Sequence, residues 1–337
     1  MKVTVVIPNL NGEQLLKPCL DSLCGQTLRD FDVIIVDNGS TDRSLEVVGQ
    51  YAGRLAVTTI CYHENGGFAK AVNEGIRATD SEYVFLLNND TVVGRHCLEE
   101  LVGAMEHPGH EDVFSVQALM LQERDRSLVD SAGDYLNIFG HARSLGRDHK
   151  ASEYAAAPSG QKAYREIFSS CAGAALYRRS AFAGIGFFDE QFFAYLEDVD
   201  LGYRAGLYGY RNLLAPQARV LHKGSASSGE LPSGRRGNAR HNAFKVKLAA
   251  RNSVLTCYKN MTNVQLWLHS LLFAAGAVVR FLYFACKGLG VAYLEGFFSA
   301  FEILSCVERV DFAHLVKGRI LVMENKMFQF TMKQFTI

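Results

Sequence analysis

Short apolar runs alternate with amphipathic ones through the first ninety residues. Residues 3–8 are mostly β-branched and give way to a turn at 9–12; Leu15, Leu16, Leu20 and Leu23 then recur at helical spacing. Residues 31–36 predict a second strand ending at Asp37, and a Ser-Thr-Asp start leads into a helix over 43–51. A third strand over 55–62, a glycine-rich turn at 65–67, a helix to about 78 and a fourth strand over 83–87 complete the series. Near-continuous apolar strands separated by helices predict an α/β fold, a mostly parallel central sheet with helices on both faces. Ligands bind such sheets beyond the carboxyl ends of the strands. Asn9, Asn11, Asp37, Asn38 and residues 88–90 all fall at such ends.

The pattern changes after about residue 109. Residues 113–121 predict another strand, followed by a polar, irregular stretch to 158. The segment 167–177 (IFSSCAGAALY) reads as one strand whose small residues admit a close neighbour. A helix over 197–208, ended by Gly209, precedes a short strand over 218–221 that stops at His222. Residues 223–240, rich in Gly, Ser and Arg, predict a mobile loop. Beyond them, 266–286 is apolar except for His269, Ser270 and Arg280, and 288–304 except for two glutamates and a serine. A stretch of 21 residues just spans a hydrocarbon core of roughly 30 Å. Arg280 inside it and Lys287 after it favour a helix at the membrane surface or packed on the protein. Two regions are therefore expected, an α/β domain over 1–240 and an apolar helical region over 241–337, which either associates with a membrane, forms a homodimer or packs internally.

Composition narrows the partners. Lys+Arg and Asp+Glu balance at 35 each in 337 residues, so no overall field argues for nucleic acid. The eight cysteines show no CxxC pair or zinc-like spacing, and the N-terminus lacks a signal-peptide pattern. A cytoplasmic protein, peripheral at the inner face of the cytoplasmic membrane, is the expectation.

The candidate chemistry sits in two acidic places. Residues 194–204 (AYLEDVDLGYR) put Glu197, Asp198 and Asp200 in four positions, a density that repels unless something draws the charges together. Residues 86–91 (LLNNDT) deliver Asp90 at a strand tip, an oxygen-rich site suited to Mg²⁺ or Mn²⁺, or else a solvated turn. His222 is either a further ligand or structural. Asp37 and Asn38 in VDNGSTD suit the edges of a base or ribose; the alternative is a turn in which Ser40 or Asp42 caps the next helix. The turn at Asn65 and Gly67 opens a helix whose N-terminus suits a phosphate, or simply connects strand to helix. Asp198 near an acceptor hydroxyl would be a general base, kept ionised by the helix start, with Glu197 orienting it or the acceptor. Asp200 and Arg204, four apart on one helix face, read as a structural ion pair.

Taken in order, VVIPNLNG, VDNGSTD, NGGFAKAVN, LLNNDT, AYLEDVDLGYRAGLYGY and VLHKGSAS resemble the family-2 inverting glycosyltransferases of GT-A fold, in their bacterial rhamnosyltransferase-type branch, over about residues 3–228. The resemblance implies a nucleotide-diphosphate sugar donor held by Pro8, Asn9, Asn11, Asp37, Asn38, Asn65, Gly67, Asn88 and Asn89. It implies a divalent cation, Mg²⁺ or Mn²⁺, at Asp90 and His222, and Asp198 as catalytic base. On the resemblance, dTDP-rhamnose is the preferred donor and UDP-galactofuranose or another UDP-hexose the competitor; the apolar tail suggests a glycan or lipid-linked acceptor in cell-surface polysaccharide synthesis such as O-antigen. One departure stands out: Asn88 replaces the first acid of the family's Asp-x-Asp metal motif, removing a charge. The QxxRW motif of processive synthases is missing and Trp267 is the sole tryptophan, so single-sugar transfer is expected. A nucleotidyltransferase would need a Gly- and Arg-bearing loop where NLNG stands. A non-catalytic carbohydrate- or nucleotide-binding domain would not need the acids at 90 and 198.

Overall fold

The computed structural model describes residues 1–154, 164–224 and 242–335. Its first part follows the predicted alternation: β1 (Val3–Asn9), α1 (Glu13–Cys24), β2 (Phe31–Asp37), α2 (Ser44–Gly49), β3 (Val57–Cys61), α3 (Phe68–Arg77) and β4 (Tyr83–Leu87). β1 lies between β2 and β4, β2 also pairs with β3, and all three ladders are parallel. Val and Ile dominate β1 and β2 because both faces of those strands are covered. Leu16, Leu20 and Leu23 of α1 pack on one face; Ala69, Val72 and Ile76 of α3 pack on the other. Each fully buried leucine contributes about 1.5–3 kcal/mol relative to exposure. Gly75 lets α3 sit close to β1, since a Cβ there would lie 2.2 Å from Val6 Cγ1.

The second part comprises β5 (Thr91–Val93), α4 (Cys97–Met105), β6 (Val113–Gln122), β7 (Val129–Ser131), β8 (Asp134–Leu136), β9 (Ala142–Ser144), β10 (Arg165–Ile167), β11 (Ala174–Arg178), α5 (Phe182–Ile185), α6 (Glu197–Leu207) and β12 (Arg211–His222). The sheet order is β10-β12-β6-β11-β4-β1-β2-β3, with β5 on β12 and β7 on β6; β8 and β9 form a separate hairpin. This half is mixed: β11 runs antiparallel to both β4 and β6, whereas β6 and β12 are parallel. Two expectations change here. The single strand expected over 167–177 is two, because β10 pairs with the edge of β12 while β11 inserts between β4 and β6. Residues 168–173 cross between those places. The short strand expected over 218–221 extends back to Arg211, with a register shift between Ala215 and Arg219 around Pro216, which has no N–H to give the ladder.

Four helices follow: α7 (Ala243–Asn260), α8 (Asn263–Ala285), α9 (Gly290–Ile303) and α10 (Arg319–Phe335). Met323 and Met327 of α10 join Tyr203 and Leu207 of α6 in one core cluster. The helical region therefore packs on the helix that carries Asp198. Among the described residues α8 is the one helix long and apolar enough to cross a membrane. It is not a buried hairpin arm: Trp267 is 75% and Leu271 82% exposed. The expected boundary at 240 and the loop expected over 223–240 fall largely outside the described residues.

Candidate active site

The carboxyl ends of β1, β2 and β4 carry a buried amide and carboxylate network. Asn9 Nδ2 donates to Asp37 Oδ1 at 2.9 Å, and Asn89 Nδ2 donates to Asn9 Oδ1 at 2.8 Å. Ser40 donates to both Asp37 oxygens, through Oγ at 2.6 Å and the backbone N–H at 3.0 Å. Asn38 Nδ2 donates to Asn65 Oδ1 at 2.9 Å, while Gly66 N donates to Asn38 Oδ1 at 3.0 Å. The Asn65–Gly67 turn is thus pinned to the end of β2, and Gly67 has the positive φ of +92° that favours glycine. Asn11 is exposed and accepts from Thr41 N at 2.9 Å; Pro8 is half-buried beside Asn9. Asp42 caps two helix starts, accepting from Ser44 N at 3.0 Å and from Glu13 N at 2.9 Å. Ser40 instead closes the turn on Asp37. The turn reading and the cradle thus coexist: the residues expected at the donor are gathered, and hydrogen bonding among them fixes their shape.

The metal candidates meet across the β5·β12 ladder, which sets His222 opposite Thr91 and hence beside Asp90. Both carboxylate oxygens of Asp90 are buried without a hydrogen-bond partner. His222 Nε2 lies 3.3 Å from Asp90 Oδ1, an ion-pair approach without hydrogen-bond geometry. The ring's other nitrogen, Nδ1, is 2.7 Å from Asp130 Oδ2, and Arg147 pairs with Asp130 at 2.9 Å. Burial opposes a charge on His222, but Asp130 and Asp90 outweigh it and push its pKa up to about 9. A buried carboxylate with two unused oxygens and an imidazole nitrogen turned toward it suit a hard divalent cation. Asn88 adds an amide at the same strand tip, close enough that a Cβ on Gly173 would stand 3.0 Å from its Nδ2.

Asp198 opens α6 as expected. The approach to it is strained: Phe193, Tyr195 and Leu196 have φ of 62°, 69° and 66°, values that non-glycine residues rarely adopt. Residues of α7 hold this loop. Asn252 Nδ2 spans the carbonyls of Phe192, Ala194 and Tyr195 at 2.9, 2.9 and 2.7 Å. Arg251 donates to Gln191 O and Phe192 O at 2.9 and 3.0 Å. The Asp198 carboxylate accepts from Val199 N at 2.8 Å and Ala172 N at 3.2 Å.

Asp134 and Cys171 complete the surroundings: one ligand atom from each, with one from Asp198, lie within 4.8 Å of one another. Burial, then the charge of Asp198, pushes Asp134 up to about 8. Burial also raises Asp198, although the N–H groups of Ala172 and Val199 oppose it. Burial thus works against the helix start expected to keep Asp198 ionised, and Asp134 lies close enough for the two carboxylates to titrate as a pair. Cys171 is raised well above its ordinary value by burial and by both acids. A thiol held protonated is a weak ligand for a hard cation, so in this trio the two carboxylates are the better donors. Glu197 is buried, with Oε2 unpartnered and its pKa driven well upward by burial and by Asp198. It makes no hydrogen bond to Asp198, which leaves only the acceptor side of its expected role. Asp200 is structural, as expected. Its oxygens meet Arg204 at 2.9 Å, Lys259 at 3.4 Å and Asn260 Nδ2 at 2.7 Å.

Asp130, Asp134, Cys171 and Asn252 were not anticipated. The first two lie in the stretch read as irregular, on three-residue strands too short to show a period.

Comparison with known proteins identifies the family. Residues 4–186 match Glycosyl transferase family 2. A Mycobacterium tuberculosis N-acetylglucosaminyl-diphospho-decaprenol L-rhamnosyltransferase is 29% identical over 255 residues, 71% of this chain and 81% of that protein. A Bacillus subtilis uncharacterized glycosyltransferase, EpsJ, is 35% identical over 104 residues. That match spans only 30% of the EpsJ chain. Among solved structures, a Pyrobaculum calidifontis mannosyltransferase in complex with GDP-Man and Mn²⁺ has a TM-score of 0.53 at 18% identity, covering 93% of this chain and 77% of that one. At that identity the likeness speaks for the fold.

Proposed function

This chain belongs to glycosyl transferase family 2, and we propose that it transfers one rhamnosyl unit from dTDP-rhamnose to a hydroxyl of a lipid-linked diphosphate sugar, with inversion. The observation that carries this reading is the M. tuberculosis rhamnosyltransferase likeness, which extends over 71% of the chain. In the reaction, Asp198 takes the proton of the acceptor hydroxyl, whose oxygen attacks the anomeric carbon from the face opposite the nucleotide. The bond from that carbon to the diphosphate oxygen breaks, the nucleoside diphosphate leaves, and the proton stays on the Asp198–Asp134 pair. The network of Asn9, Asp37, Asn38 and Asn65 binds the nucleoside, and Asn88 and Asn89 face the ribose and diphosphate. Asp90 and His222 would hold Mg²⁺ or Mn²⁺, which when bound offsets the charge gathering on the diphosphate. The exposed apolar face of α8 favours work at the inner face of the cytoplasmic membrane, in cell-surface polysaccharide assembly.

The test is transfer by the purified full chain to a synthetic N-acetylglucosaminyl-diphosphoprenol, offering dTDP-rhamnose, UDP-galactofuranose and UDP-GlcNAc separately. Product mass should increase by one deoxyhexose with dTDP-rhamnose. Preferential transfer from either UDP-sugar would overturn the donor assignment.

A further inference from the structure

The β8–β9 hairpin links the catalytic pair to α8. At one end Asp134 is paired in register with Ser144, and at the other the 137–141 turn packs on α8. The contact is close because position 276 is glycine: a Cβ there would lie 2.9 Å from both His141 Nε2 and Phe139 Cβ. Arg280 follows one helical turn later on the same face of α8. Arg143 stands across the hairpin from Tyr135.

Among the described residues no carboxylate neutralises these three side chains. Arg280 lies near Tyr293 and Tyr283 as well as near Arg143. Burial, with the charge of Arg143 adding to it, lowers Arg280 to about 10. Both ring nitrogens of His141 are buried without a hydrogen bond, although Gly140 and Gly276 flank them. A half-buried guanidinium beside a second one, with an unsatisfied imidazole between strand and helix, is an unfavourable arrangement until an anion joins it. Planar guanidinium groups match phosphate oxygens in pairs.

The surface around the cluster adds a second requirement. Val278, Val279 and Leu282 flank Arg280 at 57%, 66% and 55% exposure, and no charged residue other than Arg280 occurs along α8. Two polar residues of that helix face inward instead: Gln265 and His269 both hydrogen-bond Glu324 of α10. A ligand for this place has an anionic head and a hydrocarbon tail.

We propose that Arg143, Arg280 and His141 form the receptor for the diphosphate of the lipid-linked acceptor, with the lipid tail lying along the apolar face of α8. This rests on the lipid-linked acceptor proposed above and assigns the residues that would recognise it.

The experiment compares the full chain with Arg280→Gln and with Arg143→Gln, the second at an exposed position where folding is not at stake. Two acceptors carry the same sugar, one on a prenyl diphosphate and one as a neutral alkyl glycoside. Each substitution should raise KM for the diphosphate acceptor by about tenfold, the size of a lost charge-assisted hydrogen bond, while kcat and donor KM hold. The neutral glycoside should be used equally by all three proteins. Equal losses with both acceptors, or no loss with the diphosphate, would overturn the receptor.

Binding keeps the two readings separable. Calorimetry with farnesyl diphosphate, farnesol and inorganic pyrophosphate should show the first binding tightest, and Arg280→Gln should remove that advantage. If neither acceptor is glycosylated but farnesyl diphosphate still binds through Arg280, the receptor stands and the acceptor assignment falls. If Arg280 instead governs binding to anionic phospholipid vesicles and not to farnesyl diphosphate, the site takes membrane headgroups and the proposal is wrong.

Discussion

Replacing Asn252 by alanine should disable the active site from a helix expected to be a mere appendage. The amide of Asn252 reaches three carbonyls of the loop before Asp198. Phe192 O keeps Arg251 as a donor, whereas the Asn252 amide holds Ala194 O and Tyr195 O at 2.9 and 2.7 Å. Losing those two hydrogen bonds, at about 0.5–1.5 kcal/mol each, should lower stability by ~1–3 kcal/mol. The loop also stores three positive-φ residues, each worth about 1–3 kcal/mol of strain that only its surroundings hold in place. Freed, it should relax and move the start of α6. A shift of about 1 Å at Asp198 costs on the order of 100-fold in kcat. Urea unfolding followed by circular dichroism gives the first quantity, and turnover at saturating donor the second. Lys247→Ala, an exposed position on the same helix, is the control and should change stability by less than about 0.5 kcal/mol. A variant at Asn252 that matched this control in both stability and kcat would refute the reasoning.

Other substitutions probe the surrounding chemistry. Asp134→Asn removes the like charge beside Asp198. In the wild type kcat should climb as pH rises through about 8, where the pair sheds its shared proton; in the variant the climb should move to lower pH. An identical pH profile would remove Asp134 from the proton inventory. Asp130→Asn releases Nδ1 of His222 and should raise the Mn²⁺ concentration for half-maximal activity by about 10- to 100-fold; an unchanged requirement would argue against His222 as a ligand. Gly202→Ala puts a Cβ 2.4 Å from Ser169 Oγ and 2.8 Å from its Cα, so α6 must shift and kcat should fall with little change in donor Kd. Equal kcat would mean that the 168–173 segment yields instead.

What the sequence disclosed, and what it hid, follows from range. β1 to β4 and their intervening helices were legible because each is a contiguous run with its own period and its own turn residues. The strand-end residues Asn9, Asp37, Asn38 and Asp90 followed from that topology, and the Asp200–Arg204 pair from i,i+4 spacing. Asp130 was hidden because its partner His222 is 92 positions away. Asp134 and Cys171 reach Asp198 only through the crossing of the 168–173 segment, which a single apolar run disguised as a strand. Asn252 carried no signal because the loop it holds lies 57 to 60 positions away in the chain. The upward push on Asp198 was hidden for the same reason: the helix start is local and visible, whereas burial is not. The apolar face of α8 was plain from composition, but its inward-facing polar residues needed the position of α10.

Asp198→Asn is the decisive variant, assayed for sugar transfer and, by calorimetry, for nucleotide-sugar binding. If Asp198 is the base, transfer should fall by about 10²- to 10⁴-fold while the donor Kd stays within about twofold of wild type. Turnover at near wild-type rate would place the proton elsewhere and contradict the mechanism.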